Sequence, residues 1–471
     1  MLSDFLIGAF KTEFAYEPTP DQALLFEKLA DFILDKDKDG VLIINGYAGT
    51  GKTYCISAVV KVLKKVKINC VLMAPTGRAS KVFSQYSEHS AFTIHKKIYR
   101  QKSSSDGFGQ FLLDRNLYKN TFFIVDEASM ISDSNSEYSA FGSGKLLSDL
   151  IEYVYTGSNC KLILIGDTAQ LPPVGIDISP ALDIQVLNEF NLKVEIVQLT
   201  QVVRQSLQSG ILLNATELRN QIENTSLTGR FPKLNTNNRD VIRIQGENLI
   251  EEISNAYDKF GKDNVIIINR SNKRANKYNQ GIRNSILYRE SRISAGDMIM
   301  IVKNNYFWSQ KTEEIDFIAN GDIAEIVRIF DYQDLYGFNF ADVRLRMPDY
   351  NDIEIDVKII LNAIEIESAS LSVDENKNLY TSVLEDYPEL TTKKQKFEKM
   401  RENEYFNALQ VKFAYAITCH KSQGGQWKVV FLDQGYITEE MLGKEYYRWL
   451  YTAFTRSVEK IYLVNFSDDY F

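Results

Sequence analysis

The chain has few cysteines and no long apolar run, and each shortage excludes a class of protein. Cys55, Cys70, Cys160 and Cys419 lack the close spacing of a metal site and lie in apolar segments, so we expect reduced thiols in a cytoplasmic protein. No apolar run approaches the roughly 18 residues that cross a membrane, so no membrane partner is expected. The N-terminus lacks the basic region and the cleavage site of a signal peptide.

A surplus of basic residues is also missing. Lysine and arginine number 54 against 62 aspartates and glutamates, which gives a net charge of −8. Proteins that bind nucleic acid usually carry a basic surplus, so the charge argues against this partner, although a local basic groove can lie on an acidic body. The content of 44% hydrophobic and 25% charged residues is that of an ordinary globular protein. A chain of 471 residues is too long for one core, so about two to four domains are expected.

A glycine-rich segment, GYAGTGKT, follows the apolar run 41–44. It has the G-x-x-x-x-G-K-[ST] spacing of a phosphate-binding loop, in which glycines let the backbone curl around phosphates and the next helix presents its positive end. We expect Lys52 to reach the β- and γ-phosphates and the Thr53 hydroxyl to ligate Mg²⁺. The sequence therefore predicts a nucleoside triphosphate site, with the loop residues Gly46, Tyr47, Ala48, Gly49, Thr50, Gly51, Lys52 and Thr53.

Strand-length apolar runs alternate with helical stretches through the first 205 residues. A helical period extends over 21–35, with Thr19 and Pro20 as its start signal. The alternation is typical of βαβ units in a buried parallel sheet, so residues 1–205 are predicted to form one α/β domain. Its expected strands lie at 41–44, 70–74, 121–125, 161–165 and 194–199.

The rest of the chain predicts a second α/β domain, formed by 206–330 and 410–471. Residues 331–409 show alternating segments followed by a charged helical stretch, 391–404, which predicts a small, mainly β domain inserted into the second one. A polar stretch with glycine and serine, 97–119, interrupts the first domain and predicts a protruding hairpin. The expected strands of the second domain lie at 265–268, 298–302, 323–329, 413–418, 429–432 and 461–466.

Two further segments carry candidate catalytic side chains. Asp126 and Glu127 follow a buried run, and acids at the carboxyl end of a parallel strand project into the crevice where ligands bind. We expect Asp126 to hold Mg²⁺ and Glu127 to orient the attacking water; the alternative is a solvated acidic loop. The segment 166–174, GDTAQLPPV, repeats this arrangement after the next strand and makes Gln170 the candidate sensor of the γ-phosphate.

These segments belong to an ordered series that resembles the superfamily 1 DNA helicases, and within them the RecD-like and Dda-type branch, superfamily 1B. The resemblance covers roughly residues 15–471, apart from 97–119 and 331–409. Two positions depart from the family pattern and are expected to alter contacts with DNA: Arg78 replaces a commoner lysine, and Gln426 an acid. The remaining motifs are Gln22, APTGRAS (74–80), TIH (93–95), LTQVVRQ (199–205), NGD (320–322), TCHKSQGGQW (418–427) and YTAFTRS (451–457).

The resemblance implies two RecA-like P-loop domains with parallel sheets, a β-hairpin pin and a small SH3-like β insertion. It implies ATP and Mg²⁺ as cofactors. Gln22 would recognise the adenine edge, and Gly425 would also belong to the nucleotide site. Arg204 and Arg456 would be arginine fingers, groups that are worth roughly 10³–10⁵ in rate. With Lys52 and the acidic pair they would assemble only when the two domains close.

The family's track for single-stranded DNA falls on short polar residues. Hydroxyls, ring nitrogens and backbone N–H groups can bind phosphate oxygens without recognising the base sequence. Because such a track needs few lysines, the net negative charge of the chain argues less strongly against DNA binding. Phe108 and Phe111 would form the tip of the strand-separating pin, the alternative being an ordinary surface loop. The expected track consists of Pro75, Thr76, Thr93, His95, Thr418, His420, Lys421 and Ser422.

The expected function is that of an ATP-hydrolysing DNA helicase that moves along single-stranded DNA and unwinds duplexes. The 5′→3′ direction follows from the resemblance alone. Single-stranded and forked DNA are the expected partners, with replication, repair or recombination proteins as further candidates, and a compact monomer is expected. Two alternatives stay open: an ATP-driven translocase that displaces proteins without processive unwinding, and an RNA helicase. A non-catalytic ATP-binding module is disfavoured, because every catalytic position is filled.

Overall fold

The computed structural model describes residues 2–102, 110–134, 142–203, 209–223, 229–311, 315 and 318–471. Its strands form two parallel sheets, a closed barrel and a two-stranded hairpin. The two sheets are those of two RecA-like domains, which we call the first and second lobes, so the predicted fold class is confirmed. Within the described ranges, no helix combines the length and the apolar character needed to cross a membrane.

The first lobe is built on a six-stranded sheet in the order β3-β2-β6-β7-β1-β8, in which every ladder is parallel. All residues of β1, β6 and β7 are buried, which explains their continuous apolar sequences. The strands of this lobe and its hairpin are β1 (Gly40–Gly46), β2 (Asn69–Ala74), β3 (Ala91–Thr93), β4 (Tyr99–Lys102), β5 (Gln110–Leu113), β6 (Thr121–Val125), β7 (Lys161–Gly166) and β8 (Lys193–Leu199).

Seven helices cover this sheet among the described residues. The second begins where the sequence predicts, because the Thr19 side chain and Gln22 form a reciprocal capping box. The first was not predicted; it buries Leu6, Phe10 and Phe14, and Phe10 packs against Phe26 at 5.9 Å between ring centroids. The helices are α1 (Leu2–Phe14), α2 (Pro20–Leu34), α3 (Lys52–Lys65), α4 (Gly77–Ser87), α5 (Ile94–Ile98), α6 (Leu146–Thr156) and α7 (Ile184–Glu189).

The second lobe carries a five-stranded parallel sheet in the order β16-β10-β17-β18-β9. Its strands are β9 (Val241–Ile244), β10 (Val265–Asn269), β16 (Ala416–Thr418), β17 (Trp427–Asp433) and β18 (Ser457–Val464). Its helices are α8 (Gly210–Glu223), α9 (Leu249–Phe260), α10 (Asn272–Ser285), α14 (Cys419–Ser422) and α15 (Lys444–Phe454).

A closed five-stranded barrel is inserted between α10 and β16. The expected assignment of 298–302 and 323–329 to the second parallel sheet is wrong, since these strands pair antiparallel within the barrel. The single strand expected at 413–418 is also wrong, because the chain leaves the barrel there and enters the sheet. The barrel and its helices are β11 (Met298–Ile301), β12 (Ile323–Leu335), β13 (Phe338–Met347), β14 (Ile353–Ile360), α11 (Asn362–Glu365), α12 (Val373–Leu384), α13 (Lys393–Glu402) and β15 (Leu409–Phe413).

The two points where the chain passes between the second lobe and the barrel are bonded to each other. Asp297, fully buried before β11, accepts a hydrogen bond from the Tyr415 hydroxyl at 2.9 Å. The same carboxylate forms ion pairs with Arg283, at 3.2 Å from Nε to Oδ1, and with Arg289, at 2.6 Å from Nη1 to Oδ1. A buried carboxylate with three charged or polar donors is strongly held, so the entry and the exit of the barrel are fixed side by side.

Candidate functional site

Three loops of the first lobe meet because their strands are neighbours. In the sheet order, β6, β7 and β1 lie next to one another and run parallel, so their carboxyl ends share one edge. The loops after them carry the acidic pair, Gln170 and the glycine-rich loop, respectively. The sequence-predicted catalytic residues of the first lobe are thus brought to one edge, which is where ligands bind in open parallel sheets.

The glycine-rich loop has the backbone that a phosphate cradle requires. Gly49 and Gly51 adopt φ values of +75° and +79°, which side chains disfavour, and a Cβ at Gly46 would lie 2.6 Å from the Lys52 side chain. Lys52 Nζ donates to the Tyr47 carbonyl at 3.0 Å. No side chain caps the start of α3 at Gly51, so its first N–H groups are free of a side-chain acceptor. The loop, Lys52 and this helix end therefore fit a triphosphate.

Gln22 supports this loop from behind. Its Oε1 accepts from the Thr19 N–H at 2.9 Å, and its Nε2 donates to the Thr50 carbonyl at 2.9 Å. The residue is 2% exposed. Both ends of the amide are thus engaged in the scaffold of the loop, and contact with an adenine edge requires the amide to exchange one of these partners.

The acidic pair fits a divalent cation. Burial, followed by the charge of Glu127, raises the pKa of Asp126 above its ordinary range. Glu127 adopts the left-handed φ of 53°, and its N–H donates to Asp126 Oδ1 at 2.8 Å. A cation offsets both effects on Asp126, so this carboxylate and Thr53, the second residue of α3, are the groups that would hold Mg²⁺. When bound, Mg²⁺ neutralises charge on the phosphate oxygens.

Gln170 lies buried in the loop after β7. Its side-chain oxygen is one of the few buried polar atoms of the described chain without a hydrogen-bond partner, and the residue is 6% exposed. An unpaired buried amide oxygen is costly unless a ligand or a water satisfies it. The oxygen is an acceptor and suits a water that donates to it, whereas a γ-phosphate oxygen could be met only by the amide NH₂ group; the role of Gln170 as a γ-phosphate sensor stays a prediction.

The second lobe reaches this site through α15. The Tyr451 hydroxyl accepts from the Ala48 N–H of the glycine-rich loop at 2.8 Å and donates to Asp167 Oδ2 at 2.6 Å. Thr452 Oγ1 accepts from the Leu171 N–H at 2.8 Å. These bonds tie the loops after β1 and β7 to the same helix of the second lobe. Sequence reasoning missed both residues, although both lie in the YTAFTRS motif.

Arg456 follows α15 but makes its hydrogen bonds within its own lobe. The guanidinium is 4% exposed and donates to the carbonyls of Thr452 and Gly425, both at 3.2 Å. The predicted finger is therefore bonded to the second lobe, and reaching a γ-phosphate requires it to exchange these carbonyls. A Cβ at Gly425 would lie 2.6 Å from the Trp427 ring and 3.1 Å from Arg78 Nε, so Gly425 packs closely against these side chains. Its place in the nucleotide site stays a prediction. Arg204 lies outside the described residues.

A cleft of about 260 Å³ separates the lobes on the side of the predicted DNA track. Both lobes and the barrel contribute to it. Six of the eight predicted track residues line this cleft, which brings together motifs that are more than 300 positions apart in the sequence. The lining consists of Pro75, Thr76, Gly77, Arg78, Thr93, His95, Met130, Asn304, Ala319, Asn320, Gly321, His420, Lys421 and Gln423.

Two threonine hydroxyls of the cleft accept hydrogen bonds from backbone N–H groups at the starts of helices. Thr76 Oγ1 accepts from the Ala79 N–H, and Thr93 Oγ1 from the Lys96 N–H, each at 3.2 Å. Each hydroxyl keeps its proton for a phosphate oxygen. Ser422 differs, and its prediction is wrong: it is fully buried and donates to the Cys419 carbonyl at 2.7 Å.

Thr418, the other predicted residue outside the cleft lining, immediately precedes α14.

Burial lowers the pKa values of three ionisable groups in the cleft. It takes the pKa of His95 down to about 4, so this ring is neutral near pH 7. Burial also lowers the pKa of His420 and of Lys421. An anion in the cleft favours the protonated forms, so these groups are suited to receive phosphate.

Comparisons with known proteins agree with this arrangement. Residues 19–229 match the family model of the AAA domain, and residues 413–464 match that of the UvrD-like helicase C-terminal domain. The chain is 22% identical to the ATP-dependent RecD2 DNA helicase of Deinococcus radiodurans, over 94% of this chain and 48% of that protein. It is 24% identical to an uncharacterised protein of Acanthamoeba polyphaga mimivirus, over 93% of this chain and 98% of that protein.

A solved Pif1 helicase structure, described as the basis for DNA unwinding at forked double-stranded DNA by two coordinating Pif1 helicases, has the same fold. It aligns with a TM-score of 0.50 and 15% identity, and the alignment covers 96% of this chain and 92% of that chain. Together, the two family models, the RecD relatives and the shared fold support a RecD/Pif1-like helicase of superfamily 1B. Helicases of this family are ATP-hydrolysing enzymes.

The helicase carries the predicted hairpin between α5 and β6. Strands β4 and β5 pair antiparallel, with Tyr99 opposite Leu113. Phe111 lies within β5, where its ring packs against Tyr306 at 5.2 Å between centroids. The prediction that Phe111 forms the tip is therefore wrong, since the residue belongs to the stem. Phe108 lies outside the described residues.

The barrel's part in the helicase cleft was also missed. Asn304 and Asn320 line the cleft from the segment between β11 and β12. The Asn320 N–H donates to Asn304 Oδ1 at 2.7 Å, which fixes the two against each other. The NGD motif was a signal for this segment, but its spacing alone does not indicate that it faces the DNA track.

Proposed function

We propose that this helicase uses ATP and Mg²⁺ to move along single-stranded DNA in the 5′→3′ direction and to separate duplexes at forks. The observation that carries the proposal is the cleft, because the predicted contacts of both lobes line it together. The name of the RecD2 relative, an ATP-dependent DNA helicase, supports ATP and DNA as the substrates. The direction rests on the resemblance of the motifs to the RecD-like branch.

The arrangement suits a motor whose two lobes move relative to each other. Thr76, Thr93 and His95 belong to the first lobe, whereas His420 and Lys421 belong to the second. Nucleotide binding at the edge of the first sheet also involves α15 of the second lobe, through Tyr451. Each cycle of ATP binding and hydrolysis therefore changes the distance between two sets of contacts to one strand, which moves the strand through the cleft.

The first test is steady-state ATP hydrolysis with and without single-stranded DNA, for the wild type and Lys52→Ala. We expect strong stimulation by DNA, and a loss of roughly 10²–10³-fold in Lys52→Ala, because the variant lacks the charge that faces the phosphates. Lys64→Ala is the matched control, since Lys64 is an exposed lysine near the other end of the same helix. Hydrolysis that no single-stranded DNA stimulates would overturn the proposal.

Forked duplexes with one or the other single-stranded tail test direction and unwinding. We expect strand separation only when the 5′ tail is long enough to enter the cleft. Displacement of a bound protein from single-stranded DNA without strand separation would favour the translocase alternative. Stronger stimulation by oligouridylate than by oligothymidylate would favour an RNA substrate. Equal stimulation would mean that the cleft contacts phosphate and does not read the 2′-hydroxyl.

A further inference from the structure

Gln423 connects the DNA cleft to a loop of the ATP site through one hydrogen bond. Its residue lines the cleft beside His420 and Lys421. Gln423 is 7% exposed. Its side chain is directed away from the cleft and donates from Nε2 to the Leu171 carbonyl at 2.7 Å. Leu171 belongs to the first lobe and directly follows Gln170, the predicted sensor of the γ-phosphate. One side chain thus connects the wall of the cleft to the loop after β7.

The cleft side of this connection is tightly packed. Gly424 follows Gln423 with a φ of +73°, and a Cβ there would lie 3.0 Å from Ala79 Cβ and 3.3 Å from Thr76 Oγ1. The backbone at Gly424 therefore packs closely against the start of α4, where Thr76 is a predicted phosphate contact. A strand that shifts α4 or α14 shifts this backbone as well.

On the ATP side, both backbone polar groups of Leu171 are bonded to the second lobe. The Leu171 N–H donates to Thr452 Oγ1 and the Leu171 carbonyl accepts from Gln423, so two side chains of the second lobe fix the position of this residue. The preceding Gln170 N–H donates to the Asp167 carbonyl at 3.1 Å within the same loop. The orientation of Gln170 therefore depends on where Gln423 and Thr452 hold Leu171.

We propose that Gln423 is the positioning residue through which DNA in the cleft adjusts Gln170 and so accelerates ATP hydrolysis. The inference rests on the proposed function, since it needs DNA in this cleft. Gln423 is not a catalytic residue: it acts through the Leu171 carbonyl. Thr452 is its counterpart on the Leu171 N–H.

The test compares ATP turnover of Gln423→Leu and the wild type, without DNA and with saturating oligothymidylate. We expect the turnover number without DNA to stay within about twofold, and the stimulation by DNA to fall about fivefold, the size of one hydrogen bond. The KM for ATP and the dissociation constant of the oligothymidylate should change by less than about twofold. Thr452→Val removes the other bond to Leu171 and should give the same pattern, so it decides the question if Gln423→Leu does not fold.

Gln410→Leu is the control, because Gln410 is a buried barrel glutamine, 6% exposed, whose amide bonds to Leu371 and Asn376. It should keep full stimulation. Unchanged stimulation in Gln423→Leu and Thr452→Val would overturn the inference, as would an equal loss with and without DNA. Stimulation restored by excess oligothymidylate would make Gln423 a plain DNA contact. A wild type that DNA does not stimulate would overturn the proposed function itself, and the inference with it.

Discussion

At the scale of single residues, Tyr451 connects two loops of the ATP site to the second lobe. Its hydroxyl bonds to the glycine-rich loop and to the loop after β7, while its helix belongs to the other lobe. Burial raises the pKa of Tyr451 well above its ordinary value, so the hydroxyl keeps its proton and donates to Asp167. Without this hydroxyl, the Ala48 N–H and the Asp167 carboxylate would each lose a buried partner.

Tyr451→Phe should therefore slow ATP hydrolysis while leaving the fold intact. We expect the turnover number to fall about tenfold or more, since hydrogen bonds to charged groups are worth roughly 1.5–3 kcal/mol. Steady-state hydrolysis with saturating ATP and DNA measures the effect. Tyr447→Phe is the control, because the Tyr447 hydroxyl donates to the Arg230 carbonyl, away from the first lobe. Equal rates in the two variants would rule out this role of Tyr451.

His95 should make the stability of the protein depend on pH. Burial lowers its pKa in the folded state to about 4, below the ordinary value of 6.5. Above about pH 6.5 the ring is neutral in both states and has no effect. As the pH falls toward 4, the unfolded state binds the proton more readily, so the free energy of unfolding decreases.

His95→Gln removes this titration. We expect the thermal midpoint of the variant to rise relative to that of the wild type as the pH is lowered from about 7 to about 5. His89→Gln, in the loop after α4, is the control and should follow the wild type. A difference between His95→Gln and the wild type that stays constant with pH would contradict the assigned pKa.

At the scale of elements, the hairpin is joined to the barrel through one aromatic contact. Phe111 in β5 meets Tyr306, which follows β11, so the first lobe touches the barrel at the base of the predicted pin. A pin separates strands only if its base does not yield, because each base-pair step resists with about 1.4 kcal/mol. In the proposed unwinding, the barrel would therefore support the hairpin stem through this contact.

Tyr306→Ala should uncouple unwinding from ATP hydrolysis. We expect strand separation on forked duplexes to slow about fivefold, in line with the roughly 0.5–1.5 kcal/mol of an aromatic pair. Hydrolysis stimulated by single-stranded DNA should stay unchanged. Tyr86→Ala removes a similar contact, with Tyr54 at 5.6 Å, on the exposed side of the first lobe. If both variants unwind at the wild-type rate, the hairpin does not need this support.

The strands also show that a sequence pattern can predict a strand without predicting which strand it pairs with. Strands of the first sheet were predicted well, because uninterrupted apolar runs between helices are typical of buried parallel strands. β11 has the same appearance, with four buried apolar residues, yet it pairs antiparallel in the barrel. Pairing partners are set by contacts distant in the chain, and a short apolar run does not identify them.

At the scale of the whole molecule, the geometry was predictable from the sequence where it is formed by residues close together in the chain. The spacing from Gly46 to Lys52 determines the local backbone of the phosphate loop, so its geometry was predictable. The bond between Ala48 and Tyr451 joins residues 403 positions apart, and no motif spacing encodes it. The same holds for Gln423 and Leu171, and for the barrel's place in the cleft.

The hydrogen bonds and ion pairs to Asp297 have a consequence for how the barrel moves relative to the second lobe. Because the entry and exit of the barrel are bonded to one buried carboxylate, the barrel has no independent hinge there and turns with the second lobe. Its far segments reach Asn320 in the cleft and Tyr306 at the hairpin. In the proposed motor, a movement of the second lobe therefore displaces the cleft wall at Asn320 and the hairpin contact at Tyr306 together.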